Sequence, residues 1–224
     1  MKKVTLLLMF FSATLFAQEP ITTNLGDFNT VKVYNGLTVE LQKSNSSKIE
    51  ISGSQAKDVS INNSNGTLKI RLKFPDGFLA ENVKIVLYYT HDILVLDANE
   101  GASIFSEEPI KQQHLEVKTQ EGAKITLDID TKYLIVKSVS GGIISLSGVT
   151  ESQTVEATTG GIYSAYDLQS KQAIVTSASG ATAEIRATEL LDASVRFGGS
   201  VFYKGTPEIL KTKTTIGGTI KDKN

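Results

Sequence analysis

Gly122-Ala123-Lys124-Ile125-Thr126-Leu127-Asp128 opens one segment of the chain, Gly141-Gly142-Ile143-Ile144-Ser145-Leu146-Ser147 the next, and Gly160-Gly161-Ile162-Tyr163-Ser164 the one after. Each begins 19 residues after the last with Gly-Gly or Gly-Ala, and apolar and polar residues then alternate. Extended outward, the mark recurs at Gly101-Ala102, Gly180-Ala181, Gly198-Gly199 and Gly217-Gly218, so that successive intervals are 21, 19, 19, 20, 18 and 19 residues. A near-constant interval of this length signals a repeating structural unit. The columns agree. Three residues after each first glycine stand Ile104, Ile125, Ile144, Tyr163, Ala183, Val201 and Ile220. Five before the next glycine stand Val117, Val136, Val155, Val175 and Ala193, and two further on Thr119, Ser138, Ala157, Ser177 and Val195, small enough for a narrow interior.

A row this short cannot bury its own apolar face, so rows must stack with their strands in parallel, roughly 4.8 Å apart. The predicted fold is all-β: a right-handed parallel β-helix, or β-solenoid, preceded by an N-terminal β region. Six full rows make a rod about 29 Å long. A left-handed hexapeptide helix needs a mark about every six residues, whereas each row here carries one glycine mark and row length varies. Gly101, Gly122, Gly141, Gly142, Gly160, Gly161, Gly180, Gly198, Gly199, Gly217 and Gly218 are read as corner residues, where positive φ and close approach of rows are needed.

Upstream, strand-like alternation runs from Phe28 to Leu96. Val31 and Val33 lead to Asn35-Gly36, with Val39 and Leu41 beyond, which reads as a hairpin. Ile49 and Ile51, then Val59 and Ile61, precede a turn at Asn62–Gly66; Leu68, Ile70 and Leu72 follow until Pro75-Asp76-Gly77. Asn45, Asn62 and Asn65 match glycosylation sequons, but turn chemistry accounts for them. The division expected is a signal peptide at 1–18, a β region at 19–97 and the β-helix at 98–224. Lys2, Lys3, the apolar run Val4–Phe16 and the small Ala17 make the leader, with cleavage after Ala17 and export to the periplasm or cell surface. No other segment is apolar enough to span a bilayer; Val83–Leu96 contains Lys84, His91 and Asp92 and reads as two buried strands. The last row ends in the charged tail Lys221-Asp222-Lys223-Asn224, read as a blunt stop with no sorting domain after it.

The 224 residues contain no cysteine, two histidines and no tryptophan, which excludes disulfide scaffolds, thiol chemistry, Cys-ligated zinc and His-rich metal sites. The 23 basic and 24 acidic residues give the whole chain no charge excess toward nucleic acid or anionic lipid. An exported chain without disulfides must be held by packing and backbone hydrogen bonds.

Phe28-x-x-Val31-x-Val33 before Gly36, Ile49-x-Ile51-x-Gly53, Gly66-x-Leu68-x-Ile70, Gly101-Ala102-Ser103 and the later glycine corners together resemble the head GIN domain proteins, an autotransporter-adhesin-like group of exported proteins of Bacteroidetes-type bacteria. The resemblance covers nearly the whole chain after the leader. It implies a parallel β-helix and an adhesin-like role, and it brings no catalytic residues.

Six residues after each first glycine stand Glu107, Asp128, Ser147, Tyr166, Arg186 and Lys204. This column sets Glu107 beside Asp128, with Glu108 and Asp130 near, the arrangement a carbohydrate-active β-helix enzyme, a lyase or hydrolase, or a calcium site would use. The competing reading is a solvated acidic face. Tyr88, Tyr89, Tyr133, Tyr163, Tyr166 and Tyr203 are the aromatic candidates for sugar contact; Tyr163 falls in an inward column, leaving Tyr166 and Tyr203. Lys118, Lys137 and Glu156 follow one another on an outward face, and His91 and His114 have no partner at catalytic spacing. The glycine pairs lack the Lys-Ser/Thr of a phosphate loop. The expectation is a non-enzymatic adhesin-like or envelope-structural protein with no cofactor and no metal. Its weak binding candidates are Glu107, Asp128, Asp130, Tyr166 and Tyr203, and its partner is a glycan or an envelope or surface protein, not nucleic acid.

Overall fold

The computed structural model describes residues 20–73 and 82–224; the expected leader and the break at Pro75-Asp76-Gly77 lie outside them. Among the described residues, apart from a 3-10 turn at Ala56–Asp58, the regular elements are strands. The first group is β1 (Ile21–Asn24), β2 (Thr30–Val33), β3 (Thr38–Lys43), β4 (Lys48–Ser52), β5 (Val59–Ser64) and β6 (Thr67–Leu72). Next come β7 (Lys84–Tyr89), β8 (Val95–Ala98), β9 (Ser103–Phe105), β10 (Ile110–Thr119), β11 (Lys124–Ser138) and β12 (Ile143–Ala157). The last are β13 (Ile162–Ser164), β14 (Leu168–Ala178), β15 (Thr182–Arg196), β16 (Gly199–Lys204), β17 (Ile209–Thr215) and β18 (Gly218–Asp222).

These strands stack in register as the repeat predicts. One parallel ladder places Leu68, Val31, Leu96, Val117, Val136, Val155, Val175, Ala193 and Thr212 in a single column, one residue per row. A second does the same for Ile85, Val39, Ile104, Ile125, Ile144, Tyr163, Ala183, Val201 and Ile220. Except at the last row, these columns face inward and are buried, forming one continuous core. Apolar burial at about 25 cal/mol per Å² is what holds rows too short to fold alone.

Long strands turn without breaking the ladder. In β11, Ile125, Leu127, Ile129 and Thr131 are buried, Lys132 and Tyr133 are both exposed, and Leu134, Val136 and Ser138 are buried again. Two consecutive outward residues invert the alternation, and the strand bends there. A second kind of bend is the glycine corner. The two residues Ser140-Gly141 both adopt positive φ, 50° and 74°, and the same pairing occurs at each row mark. Corners are tied to one another: Gly101 N–H donates to the Glu121 carbonyl at 3.0 Å, Gly141 to Thr159 at 3.1 Å and Gly160 to Ser179 at 3.0 Å.

The N-terminal region departs from the sequence reading at Asn35-Gly36. No hairpin forms there. β2 lies parallel between β6 and β8, and β3 parallel between β7 and β9, so both edges of each strand are taken. Asn35-Gly36, with φ of 57° and 68°, is another corner of the rod, and Gly36 N–H donates to the Glu100 carbonyl at 2.8 Å. The hairpin turn is Asn65-Gly66, which joins antiparallel β5 and β6 with Ser64 opposite Thr67. Antiparallel β5 ends one ladder, and antiparallel β4 and β1 extend the other past β7. The Val83–Leu96 segment forms β7 and part of β8, as buried strands.

Candidate functional site

Departures from 19 residues per row locate the irregular surface. In the 21-residue row from Gly101, Phe105 pairs with Thr126 but Ile110 with Ile129, so Ser106–Pro109 holds two extra residues. Glu107 and Glu108 sit in that loop, against Leu41, Gln42 and Lys43, in a cleft of about 160 Å³. Asp130 lines a different groove, with Lys111, Lys132, Val149 and Lys171. The acidic residues that the sequence reading sets near one another therefore line three separate depressions: the insertion parts Glu107 and Glu108 from Asp128, and Asp130 lies two residues further along β11.

In the 20-residue row from Gly160, Ser164 pairs with Ser145 and Leu168 with Gly148, which leaves one extra residue in Ala165-Tyr166-Asp167. The strand bulges, and Gly148 N–H bonds the Asp167 carbonyl at 3.1 Å while Ala165 N–H bonds Glu184 at 2.9 Å. This pushes Tyr166 up as one wall of a groove of about 370 Å³. The groove floor is a ladder of small hydroxyls, Thr126, Ser145 and Ser164, one per row, ending at Glu184. Asp128 and Ser147, which like Tyr166 stand two residues past the hydroxyl ladder, line the groove as well, with Ser147 Oγ donating to Asp128 Oδ2 at 2.8 Å.

Tyr166 is fixed from two sides. Arg186 Nε donates to its carbonyl at 2.9 Å, and Lys204 Nζ lies 4.7 Å from the ring centroid, a cation–π contact. Burial, and then the Glu184 charge, hold its phenol above the ordinary tyrosine range, so it stays a neutral donor. Among the described residues the ion pairs lie elsewhere, leaving Asp128, Asp167 and Glu184 as acceptors. Also among the described residues, no group of three or more His, Cys, Asp or Glu side chains is placed to hold a metal ion.

Tyr203 is not part of this wall. It pairs with Ile185 on the inward side of β16 and packs against the core. Tyr163 is fully buried, as its column predicts, and Lys118, Lys137 and Glu156 stack outward in successive rows. Sequence reading singled out Asp128 and Tyr166 but passed over Asp167 and Glu184. The signal was the interval of 20, which marks an extra residue beside Tyr166.

Residues 27–207 match the family described as "Putative auto-transporter adhesin, head GIN domain". The chain belongs to that family. The same fold is seen in solved structures. A "putative adhesin" from Bacteroides fragilis superposes with TM-score 0.82 at 19% identity, over 92% of this chain and 98% of that one. One from Parabacteroides distasonis gives 0.74 at 17% over 91% and 96%, and one from Parabacteroides merdae 0.70 at 19% over 92% and 95%. At such identities the likeness concerns the fold. No curated protein matches significantly.

Proposed function

We propose that this head GIN domain protein is an exported, non-enzymatic binding protein of the adhesin type, and that its Tyr166 groove takes a glycan. The observation carrying this reading is the groove lining: one aromatic ring, a row-by-row ladder of hydroxyls and flanking carboxylates, open to solvent along the rod. A sugar presents an apolar C–H face that stacks on an aromatic ring and hydroxyls that need acceptors and small donors. Rows repeat at roughly 4.8 Å, close to the length of one sugar ring, so successive rows offer similar partners to successive rings of a linear chain. Export is supported by the leader pattern at residues 1–18.

The alternative of a lyase or hydrolase using Glu107 with Asp128 has less support, since the two residues line different depressions. A glycan array probed with the wild-type protein and with Tyr166→Ala tests the proposal. Retention of one or more saccharides by the wild type and their loss in the variant is the expected result. A silent array, or equal retention by both proteins, contradicts it.

A further inference from the structure

The two ends of the rod are built differently. At the N-terminal end, antiparallel β1, β4 and β5 close the ladders over buried Phe28, Ala56 and Leu72. At the other end β17 and β18 pair on one side only, with β15 and β16, and all seven residues of β17 are exposed. Leu210, which occupies the inward column below fully buried Leu191, is 47% exposed there, β17 being paired on one side only.

The corner ridge changes character at this end. The first residue of each corner is Asn35, Glu100, Glu121, Ser140, Thr159 and Ser179, then Phe197 and Ile216, all with φ between 50° and 57°. Bulky and β-branched apolar side chains are disfavoured in this left-handed conformation, and an aliphatic or aromatic side chain in water gains nothing there. Yet Phe197 is 56% and Ile216 71% exposed, in adjacent rows joined by the Gly198 N–H bond to the Gly217 carbonyl. Ile209 and Leu210, exposed at the other end of β17 and about 20 Å away along the strand, carry apolar surface to the far corner of the same tip.

Charge collects around it. From Arg196 onward the chain has six basic and two acidic residues, whereas the residues before it have 17 basic and 22 acidic. Lys211 and Lys213 project from the outer side of β17, and Lys221 and Lys223 lie at the end of the other ladder, so cations rim the open tip on both walls. A near-neutral total thus conceals a basic pole on an acidic body, the asymmetry that marks attraction to an anionic surface.

We propose that this C-terminal tip docks on an anionic lipid surface, the rod standing on end. Phe197, Ile209, Leu210 and Ile216 enter the headgroup boundary, and the lysine stems lie along it with their ammonium groups on the lipid phosphates. A second copy of the chain is the less favoured occupant, because tip-to-tip pairing would oppose two basic rims.

Co-sedimentation of the exported protein with phosphatidylcholine vesicles, with and without phosphatidylglycerol, tests this. The expected result is pelleting with the anionic vesicles only, weakened by added salt, and weakened about five-fold by each of Lys211→Gln and Lys213→Gln. Phe197→Asn with Ile216→Asn puts a residue tolerant of positive φ at both corners, so the melting temperature is held or raised while vesicle binding falls by more than about ten-fold. Absence of pelleting with anionic vesicles overturns the proposal, as does equal pelleting by wild type and variants. Concentration-dependent dimerisation lost in the Asn pair, without vesicle binding, assigns the tip to a second copy and overturns it too.

Discussion

The Tyr163 hydroxyl donates to Gln153 Oε1 at 2.8 Å, with both side chains fully buried inside the rod. Gln153 Nε2 donates in turn to Ser170 Oγ at 2.8 Å, and Ser170 to the Arg186 carbonyl, so one polar chain crosses three rows. Burial pushes the Tyr163 phenol far up, and it remains a donor. Tyr163→Phe removes the donor to the buried Gln153 oxygen and should cost about 1–3 kcal/mol in urea unfolding. A double substitution Tyr163→Phe with Gln153→Leu should cost less than the two single changes together, and strict additivity would show that the bond carries no coupling.

Adjacent glycines in one corner serve different needs. Gly160 has φ of 72° and open space where a Cβ would stand, so Gly160→Ala should cost about 1–2 kcal/mol of left-handed strain. At Gly161 a Cβ would fall 2.1 Å from the Ser138 carbonyl oxygen in the row below, a backbone clash that no rotamer relieves. Gly161→Ala should therefore reach or exceed about 3 kcal/mol. Thermal melts of the two variants check the order, and a larger loss at Gly160 would refute this assignment.

Acid stability has a specific contributor in Glu116. Burial raises its carboxyl pKa, but hydrogen bonds from Lys118 and Lys137, at 3.0 and 3.2 Å, outweigh that and hold it below its ordinary 4.5. A carboxylate depressed in the folded state adds stability above its unfolded pKa and loses it as pH falls through the folded one. Chemical melts in steps from about pH 6 to about pH 2 should therefore show a shallower acid loss for Glu116→Gln than for the wild type. Identical slopes would remove Glu116 from the account.

The rod was legible because each row repeats its chemistry at a nearly fixed interval, and Ile104, Ile125 and Ile144 do stack. Asn35-Gly36 differs from the hairpin reading because its partner corner, Glu100-Gly101, lies 65 residues on: after β3 the chain builds the end of the rod from β4 to β7, with β6 and β7 stacked on one side of β2 and β3, and resumes on their other side at β8. Periodicity sees neighbours in sequence, not a row resumed after an excursion. Glu107 and Asp128 line different depressions for a related reason, an insertion that column counting carried through unbroken. The Tyr166 groove was half visible, as one tyrosine and one aspartate; its remaining wall depends on where a bulge points, which local pattern does not specify. The basic tip was hidden in an average, because charge was counted over the whole chain.

The groove itself is the claim on which the functional account rests. Titration of the isotope-labelled protein with a saccharide retained on the array, followed by amide chemical shifts, tests it most directly. The account predicts that the largest changes fall on Ser145, Ser147, Ser164, Tyr166, Asp167 and Glu184, and that they vanish in Tyr166→Ala. Changes confined to the opposite sheet, around Tyr133 and Ile174, would place the glycan elsewhere and contradict it.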